Sequence, residues 1–250
     1  MENILEEKER IDDLQYHGLK IIQREDGFCF GMDSILLSDF AKDIKPKSKV
    51  LDLGTGTGIL GILLCGKTEL EKIIGIEIQQ EMAEMAQKSI FLNHLENRFE
   101  IRQMDIKNLK EIFPKESFDA IVTNPPYKKQ ETGLQNQNIL KQIARHEVCA
   151  TLEDFICASF QMLKDRGTLY MVHRPERLAD LVTILRKYKL EPKKMTFVYP
   201  RKDKACNLVL IKAIKNARSE LKITPPIIVY ETEGEYTRQI LEIYDQKEGE

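Results

Sequence analysis

The chain has 250 residues, 42% hydrophobic and 31% charged, enough to bury one full core and ordinary for a globular domain. With a formal net charge of -2, any nucleic-acid-binding face must be local, and no apolar run approaches the length of a membrane span. Five scattered cysteines (Cys29, Cys65, Cys149, Cys157 and Cys206) with no C-x-x-C pair argue against a disulfide framework and a zinc site. The acidic start MENILEEKERIDDL is unlike a secretory leader. A cytoplasmic protein without a metal is expected.

Leu14 to Ala41 alternates first like a small hairpin, then reads as a helix entered at Asp33. Residues 1–41 are therefore expected to form an extension over the ligand crevice of a domain spanning 42–250. From Lys49 a rhythm sets in: KVLDLGTGTG reads as a strand and tight loop, ILGILLCGK as a helix, KIIGIEI as a strand and EMAEMAQKSIFLNHL as a helix. FEIRQMDI, an amphipathic stretch to Phe113 and SFDAIVTNPPY continue it. After a polar loop, TLEDFICASFQMLKDRG predicts a helix capped by Thr151 and stopped at Gly167, followed by the strand TLYMVHR and the helix RPERLADLVTILRKYKL. The runs KKMTFVYP and CNLVLIKAIK predict an antiparallel C-terminal hairpin at one sheet edge. Strands alternating with helices imply right-handed crossovers, hence an α/β fold with a mostly parallel, doubly wound sheet. The tail from Lys222 contains Pro225-Pro226 and a β-like IIVY, then becomes acidic and polar, and its last dozen residues are expected to be loosely ordered.

The loop Asp52-Leu53-Gly54-Thr55-Gly56-Thr57-Gly58 lies between a predicted strand and helix. Glycines there allow a tight turn and close approach of a ligand to free backbone N–H groups. Glu77 ends the next strand about twenty residues on, where a carboxylate can accept both ribose hydroxyls. These features serve a nicotinamide dinucleotide as well, since Gly56, Gly58 and Gly61 satisfy G-x-G-x-x-G. Asp105, after the third strand, adds an acceptor where an adenine amino group would lie; an acid there can equally be a cap.

Asn124-Pro125-Pro126-Tyr127 discriminates between the readings. Two consecutive prolines after the apolar strand AIVT freeze an extended turn where open α/β sheets bind ligands. The Asn124 side-chain oxygen and the Pro125 main-chain oxygen can accept both hydrogens of one NH2 group, while the Tyr127 ring stacks on a planar substrate. An aromatic or amide nitrogen is a poor nucleophile because its lone pair is delocalised. Two acceptors favour a pyramidal nitrogen, so positioning and electrostatics carry the catalysis.

This series of Asp52 with the glycines, Glu77, Asp105 and NPPY resembles the amino-group methyltransferases of the class I, Rossmann-like superfamily over about residues 30–175. The resemblance implies S-adenosyl-L-methionine as cofactor. Asp52, Gly54, Thr55, Gly56 and Gly58 would hold its methionine end, Glu77 and Ile78 the ribose region, and Asp105 with Ile106 the adenine; Asn124, Pro125, Pro126 and Tyr127 would grip the target nitrogen. Three further motifs, FGMDSILLSDFA, Ala144-Arg145-His146-Glu147 and Val172-His173-Arg174-Pro175-Glu176-Arg177-Leu178, are similar to the bacterial tRNA(Val) adenine-N6 methyltransferase family, which modifies the adenosine at position 37 beside the anticodon. That similarity spans nearly the whole chain and implies tRNA as the partner, with a monomer favoured.

Within those motifs Asp33 either caps its helix or faces the cofactor amino group, capping being the commoner role. Arg145, His146, His173 and Arg174 either contact RNA or are structural. Arg186, Lys187, Lys189, Lys193, Lys194, Arg201, Lys202 and Lys204 gather in the last third, interleaved with Tyr188, Phe197 and Tyr199, and are read as a phosphate-binding face. The alternative is a protein glutamine-N5 methyltransferase of the release-factor type, since a carboxamide presents the same planar NH2. Enzymes of that type resemble one another in a helical N-terminal domain ahead of the glycine loop, whereas here a hairpin and one helix are expected.

Overall fold

The computed structural model describes residues 5–26, 31–127, 150–232 and 234–246. Arg145 and His146 lie outside them. The chain opens with an antiparallel hairpin, β1 (Glu9–Asp13) and β2 (Lys20–Arg24), then helix α1 (Met32–Phe40). The alternating core follows: β3 (Lys49–Leu53), α2 (Ile59–Lys67), β4 (Lys72–Glu77), α3 (Gln80–Leu92), β5 (Phe99–Gln103), a 3-10 turn over Ile106–Glu111, and β6 (Phe118–Thr123). Next come α4 (Leu152–Met162), β7 (Leu163–His173), a 3-10 turn at Pro175–Arg177, α5 (Leu178–Lys187), β8 (Leu190–Tyr199) and β9 (Leu208–Lys215).

Nine strands form one sheet in the order β10-β8-β9-β7-β6-β3-β4-β5, in which β10 (Lys222–Ile223) and β11 (Ile227–Ile228) both pair with β8. β5, β4, β3, β6 and β7 run parallel. β9 runs antiparallel to both β7 and β8, so the expected C-terminal hairpin is present. Each central strand is buried on both faces, as a covered parallel sheet requires. One apolar cluster joins α1, α2 and α3 to the sheet, and the other joins α4 and α5 to the opposite face. α1 contributes Ile35, Leu36, Leu37 and Phe40 to the first cluster, so the N-terminal segment shares the main core. The hairpin itself lies along α3, where the Ile22 N–H donates to Ser89 Oγ at 2.9 Å and Asn93 Oδ1 accepts the Lys20 N–H at 2.8 Å.

Three local expectations differ from the structure. The helix capped by Thr151 has the expected capping box with Asp154, but it ends at Met162 rather than at Gly167. β7 starts at Leu163 and bulges against β6, with Arg166 at a φ of 62°. Gly167 sits inside this bulge, where a Cβ would lie 2.9 Å from the Lys164 carbonyl oxygen. The stretch after β5 forms only a short 3-10 turn. The C-terminal region is also more ordered than expected. β12 (Tyr230–Thr232), β13 (Glu235–Tyr236) and α6 (Arg238–Ile243) follow β11, and Ile240, Ile243 and Tyr244 enter the first core cluster. Those three apolar side chains at helical spacing outweigh the polar residues around them.

Candidate active site

The sheet changes direction at its centre: from β3 the chain builds outward through β4 and β5, then returns to place β6 on the other side of β3. Loops diverge at such a point and leave a crevice beyond the carboxyl ends of the strands. The glycine loop follows β3 and the NPPY turn follows β6, so both border that crevice. The Thr123 hydroxyl ties their bases together by donating to the Leu53 carbonyl at 2.8 Å.

Gly54, Gly56 and Gly58 have φ values of 70°, 59° and 87°, a left-handed path that residues with a Cβ avoid. A Cβ on Gly56 would meet nothing within 4 Å, so the loop faces open space there. The loop is fixed from beneath, since the Gly54 and Thr55 N–H groups donate to the Ile76 carbonyl at 2.9 and 3.0 Å. Glu77 holds it from the side: its Oε2 accepts the Gly56 N–H and its Oε1 the Gln79 N–H, each at 2.9 Å. Each carboxylate oxygen keeps a lone pair for a hydroxyl.

Asp52 is 1% exposed and accepts the Thr55 hydroxyl at 2.6 Å. Burial, together with the nearby Glu77 charge, pushes its carboxyl up to about 7, against the Thr55 hydrogen bond. Among the described residues no cation pairs with Asp52, Glu77 or Asp33. Three acids near the switch point without a counter-ion among the described residues fit a cationic ligand bearing hydroxyls, such as a sulfonium nucleoside with an amino-acid tail.

Asp105 caps the 3-10 turn by accepting the Lys107 N–H at 2.9 Å, and Ile106 is buried beside it. The cap uses Oδ1, Oδ2 lies 3.6 Å from Lys107 Nζ, and the side chain is a quarter exposed; Ile78, just after β4, is 38% exposed. An exposed isoleucine beside Glu77 offers an apolar shelf for a planar ring.

Asn124, buried Pro125, exposed Pro126 and half-buried Tyr127 form the turn after β6. The Tyr127 hydroxyl stands 2.6 Å from Asp33 Oδ2 and 2.5 Å from Asn124 Oδ1, and its single proton is shared between the two acceptors. Burial and the Asp33 carboxylate push the phenol well above its usual range, so it stays protonated. Asp33 lies in the first turn of α1 and does not cap it: Gly31 is the cap residue and no side-chain bond closes that end. The expectation that Asp33 caps its helix is replaced by a contact 94 residues away in sequence, invisible without the fold. Asn124 Nδ2 also reaches the Ser34 hydroxyl at 3.4 Å, so the start of α1 forms one wall of the turn.

Behind Tyr127, His173 packs edge-on at 5.3 Å between ring centroids, and the Arg174 guanidinium lies 5.0 Å from the Tyr127 centroid. Arg174 Nη1 donates to the Asn207 carbonyl at 3.0 Å, which anchors it to the loop joining β8 and β9.

Topology divides the basic cluster. Lys189 precedes β8, whereas Arg201, Lys202 and Lys204 follow it; only the latter group shares the strand end of His173 and the NPPY turn. Lys193 Nζ donates to the Arg218 and Ser219 carbonyls at 3.2 and 3.4 Å, and Lys194 Nζ lies 4.6 Å from the Phe40 ring centroid, so both serve packing. Arg186 and Lys187 pair with Glu191 and Glu153. A continuous face of eight cations is therefore absent from the described structure, because a ten-residue strand separates its two halves.

The sequence pattern of the methyltransferase small domain family matches residues 31–188, which include the glycine loop, Glu77, Asp105 and the NPPY turn. The chain belongs to that family. Membership accounts for the glycine loop and the NPPY turn together, which the dinucleotide reading did not. This methyltransferase is 28% identical over 221 residues to the tRNA1(Val) (adenine(37)-N6)-methyltransferase of Porphyromonas gingivalis, covering 85% of this chain and 86% of that one. In fold it is similar to a predicted O-methyltransferase from Agrobacterium tumefaciens, with a TM-score of 0.69 and 24% identity over 86% of this chain and 96% of that one. It is also similar to the geranyl diphosphate C-methyltransferase of Streptomyces coelicolor in complex with S-adenosyl-L-homocysteine, with a TM-score of 0.54 and 12% identity over 73% and 78% of the two chains. No helix among the described residues is long and apolar enough to cross a membrane, and no group of three potential metal ligands occurs among them.

Proposed function

We propose that this methyltransferase uses S-adenosyl-L-methionine to methylate N6 of an adenine in tRNA, the adenosine at position 37 of tRNA(Val). The supporting observation is the NPPY turn at the switch point of the sheet, with the Asn124 acceptor at the same end of the sheet as Asp52, Glu77 and Asp33, none of which pairs with a cation among the described residues. When bound, the cofactor supplies an electrophilic methyl group on a positively charged sulfur. Asp52 and the loop Gly54, Thr55, Gly56 and Gly58 bind its amino-acid end, Glu77 accepts from the ribose, and Ile78, Asp105 and Ile106 enclose the adenine. Asp33 and the start of α1 close the remaining side, the part played by the N-terminal extension 1–41 toward the domain 42–250.

The target amino group donates its two hydrogens to Asn124 Oδ1 and the Pro125 carbonyl. Both acceptors draw the nitrogen lone pair out of conjugation and aim it into the crevice, while Tyr127 stacks on the base. The base must leave its stack to reach this depth. Arg174 and the β8–β9 loop stand at the rim, where the RNA backbone would pass. The similarity to a relative named for this reaction supports the substrate, and a tRNA substrate supports a cytoplasmic location.

Labelled methyl transfer to total tRNA from a strain lacking the gene, followed by nucleoside mass spectrometry, tests this reading. New N6-methyladenosine is expected, and Asn124→Ala should reduce its formation by roughly 100- to 1,000-fold, the usual loss for one oriented polar contact to the reacting centre. Methylation of a release-factor glutamine with none in tRNA would replace this reading by the carboxamide one.

A further inference from the structure

Among the described residues, two buried side-chain polar atoms have no hydrogen-bond partner: His173 Nε2 and Asn207 Oδ1. Both lie beside Arg174, the residue stacked on Tyr127. A buried polar group left without a partner costs roughly 1–3 kcal/mol. A fold that keeps such a cost points to a partner outside the chain, an ordered water or a ligand.

The other ring nitrogen fixes which kind of partner His173 lacks. Nδ1 accepts the backbone N–H of Arg174 at 2.8 Å, a shorter contact than the 3.4 Å to the Arg174 carbonyl, so Nδ1 carries the lone pair. His173 is fully buried, and that burial, with the charges of Arg177 and Arg174, holds its pKa down to about 4. The ring is neutral at pH 7 with its proton on Nε2. The orphan is therefore a donor.

Tyr127 packs its ring edge-on against the His173 ring and donates its hydroxyl to Asn124 Oδ1. In the adenine reading the Tyr127 ring stacks on the base instead of packing on His173, so entry of the base also takes the ring off His173. An acceptor and a donor then border the space the tyrosine has left. Adenine presents the complement: an amino group flanked by N1 and N7, both acceptors. Guanine and hypoxanthine instead carry an oxygen at C6, which would face the Asn124 oxygen.

We propose that His173 is a base-reading residue whose Nε2–H donates to a ring nitrogen flanking the amino group of the target adenine. This rests on the adenine reading above and assigns Tyr127 a second task, packing against the His173 ring until a base arrives.

The test uses anticodon stem-loop RNAs carrying adenosine, 1-deazaadenosine or 7-deazaadenosine at the target position, with kcat and KM measured for the wild type, His173→Phe and His173→Gln. Calorimetric binding of S-adenosylhomocysteine reports whether each variant is folded; if His173→Phe is not, His173→Gln, which retains an N–H donor, carries the comparison. The wild type should disfavour one of the two deaza substrates by about tenfold. His173→Phe should treat that analogue and adenosine alike and raise KM for adenosine, while His173→Gln should recover part of the preference. A wild type indifferent to both analogues, or a preference undiminished in both variants, overturns the proposal while leaving the methylation reading intact. Failure of the wild type to methylate any RNA overturns both.

Discussion

The two ends of the central sheet solve the problem of buried polar groups in opposite ways. At the amino ends of the parallel strands, Lys215 is 3% exposed and fully provided for: its ammonium donates to Glu116 Oε1 at 2.9 Å and to the Phe160 and Leu163 carbonyls at 2.8 Å. Asp119 there accepts from Lys164 Nζ at 2.6 Å and from the Lys49 N–H at 2.9 Å. At the carboxyl ends, Asp52, Glu77 and Asp33 have no cation among the described residues, and His173 Nε2 has no partner. One end is complete as folded, whereas the other leaves three acids without a cation among the described residues, so substitutions at the two ends should separate stability from activity.

The largest stability effect is expected at the complete end. Lys215→Met keeps the apolar stem but strands two main-chain carbonyls and the Glu116 partner. It should cost roughly 2–4 kcal/mol in denaturant unfolding. Methyl transfer by the folded fraction should be unchanged. A loss of activity beyond the loss of folded protein would mean that the two ends are mechanically coupled.

Asp52→Asn should do the reverse. The Asp52 carboxyl is raised in the folded state, to about 7 against an ordinary 3.8. A raised folded pKa gives stability that is complete below the unfolded value and is lost as pH rises through the folded one. At pH 8 the wild type bears the cost of an ionised buried acid, and the amide removes it. The variant should be more stable at pH 8 by roughly 1–3 kcal/mol, with the difference vanishing near pH 4. It should also bind S-adenosylmethionine more weakly. Thermal melts across pH, with calorimetry of cofactor binding, check both signs.

The same contrast explains what the sequence disclosed. The crevice was legible because its residues are local: the loop from Asp52 to Gly58, Glu77 at a strand end and the NPPY turn each announce themselves within a few positions. Alternating apolar runs gave the strand order its parallel character for the same reason. Contacts across long separations were not legible. The Asp33–Tyr127 bond joins α1 to the turn after β6, and the Lys215 site joins β9 to α4 and the residues before β6. The basic cluster misled because sequence proximity along an extended strand is spatial separation: ten residues of β8 place Lys189 and Arg201 at opposite ends. The helix stop at Gly167 misled because the glycine serves a bulge rather than a cap.

That division of the basic cluster carries the smallest predicted effect and the sharpest internal control. Arg201 is held to Asp203 by two contacts of 3.0 and 2.9 Å, and Lys202 reaches Glu231 at 3.4 Å, so both are partly neutralised before RNA arrives. Exposed pairs of this kind are worth less than about 1 kcal/mol and yield readily to a phosphate. Replacing Arg201, Lys202 and Lys204 together by glutamine should weaken tRNA binding by roughly ten- to a hundredfold and reduce the slope of log affinity against log salt by about 2 to 3. The pair Lys193→Gln and Lys194→Gln, nearby in sequence but lower on the strand, should leave that slope unchanged, because one ammonium serves main-chain carbonyls and the other an aromatic ring. Equal slopes for the two variants would mean that RNA lies along the length of β8 and not across its end. In that case the crevice would have to be reached from the sheet edge, past β10 and β11, rather than over the rim formed by Arg174 and the β8–β9 loop.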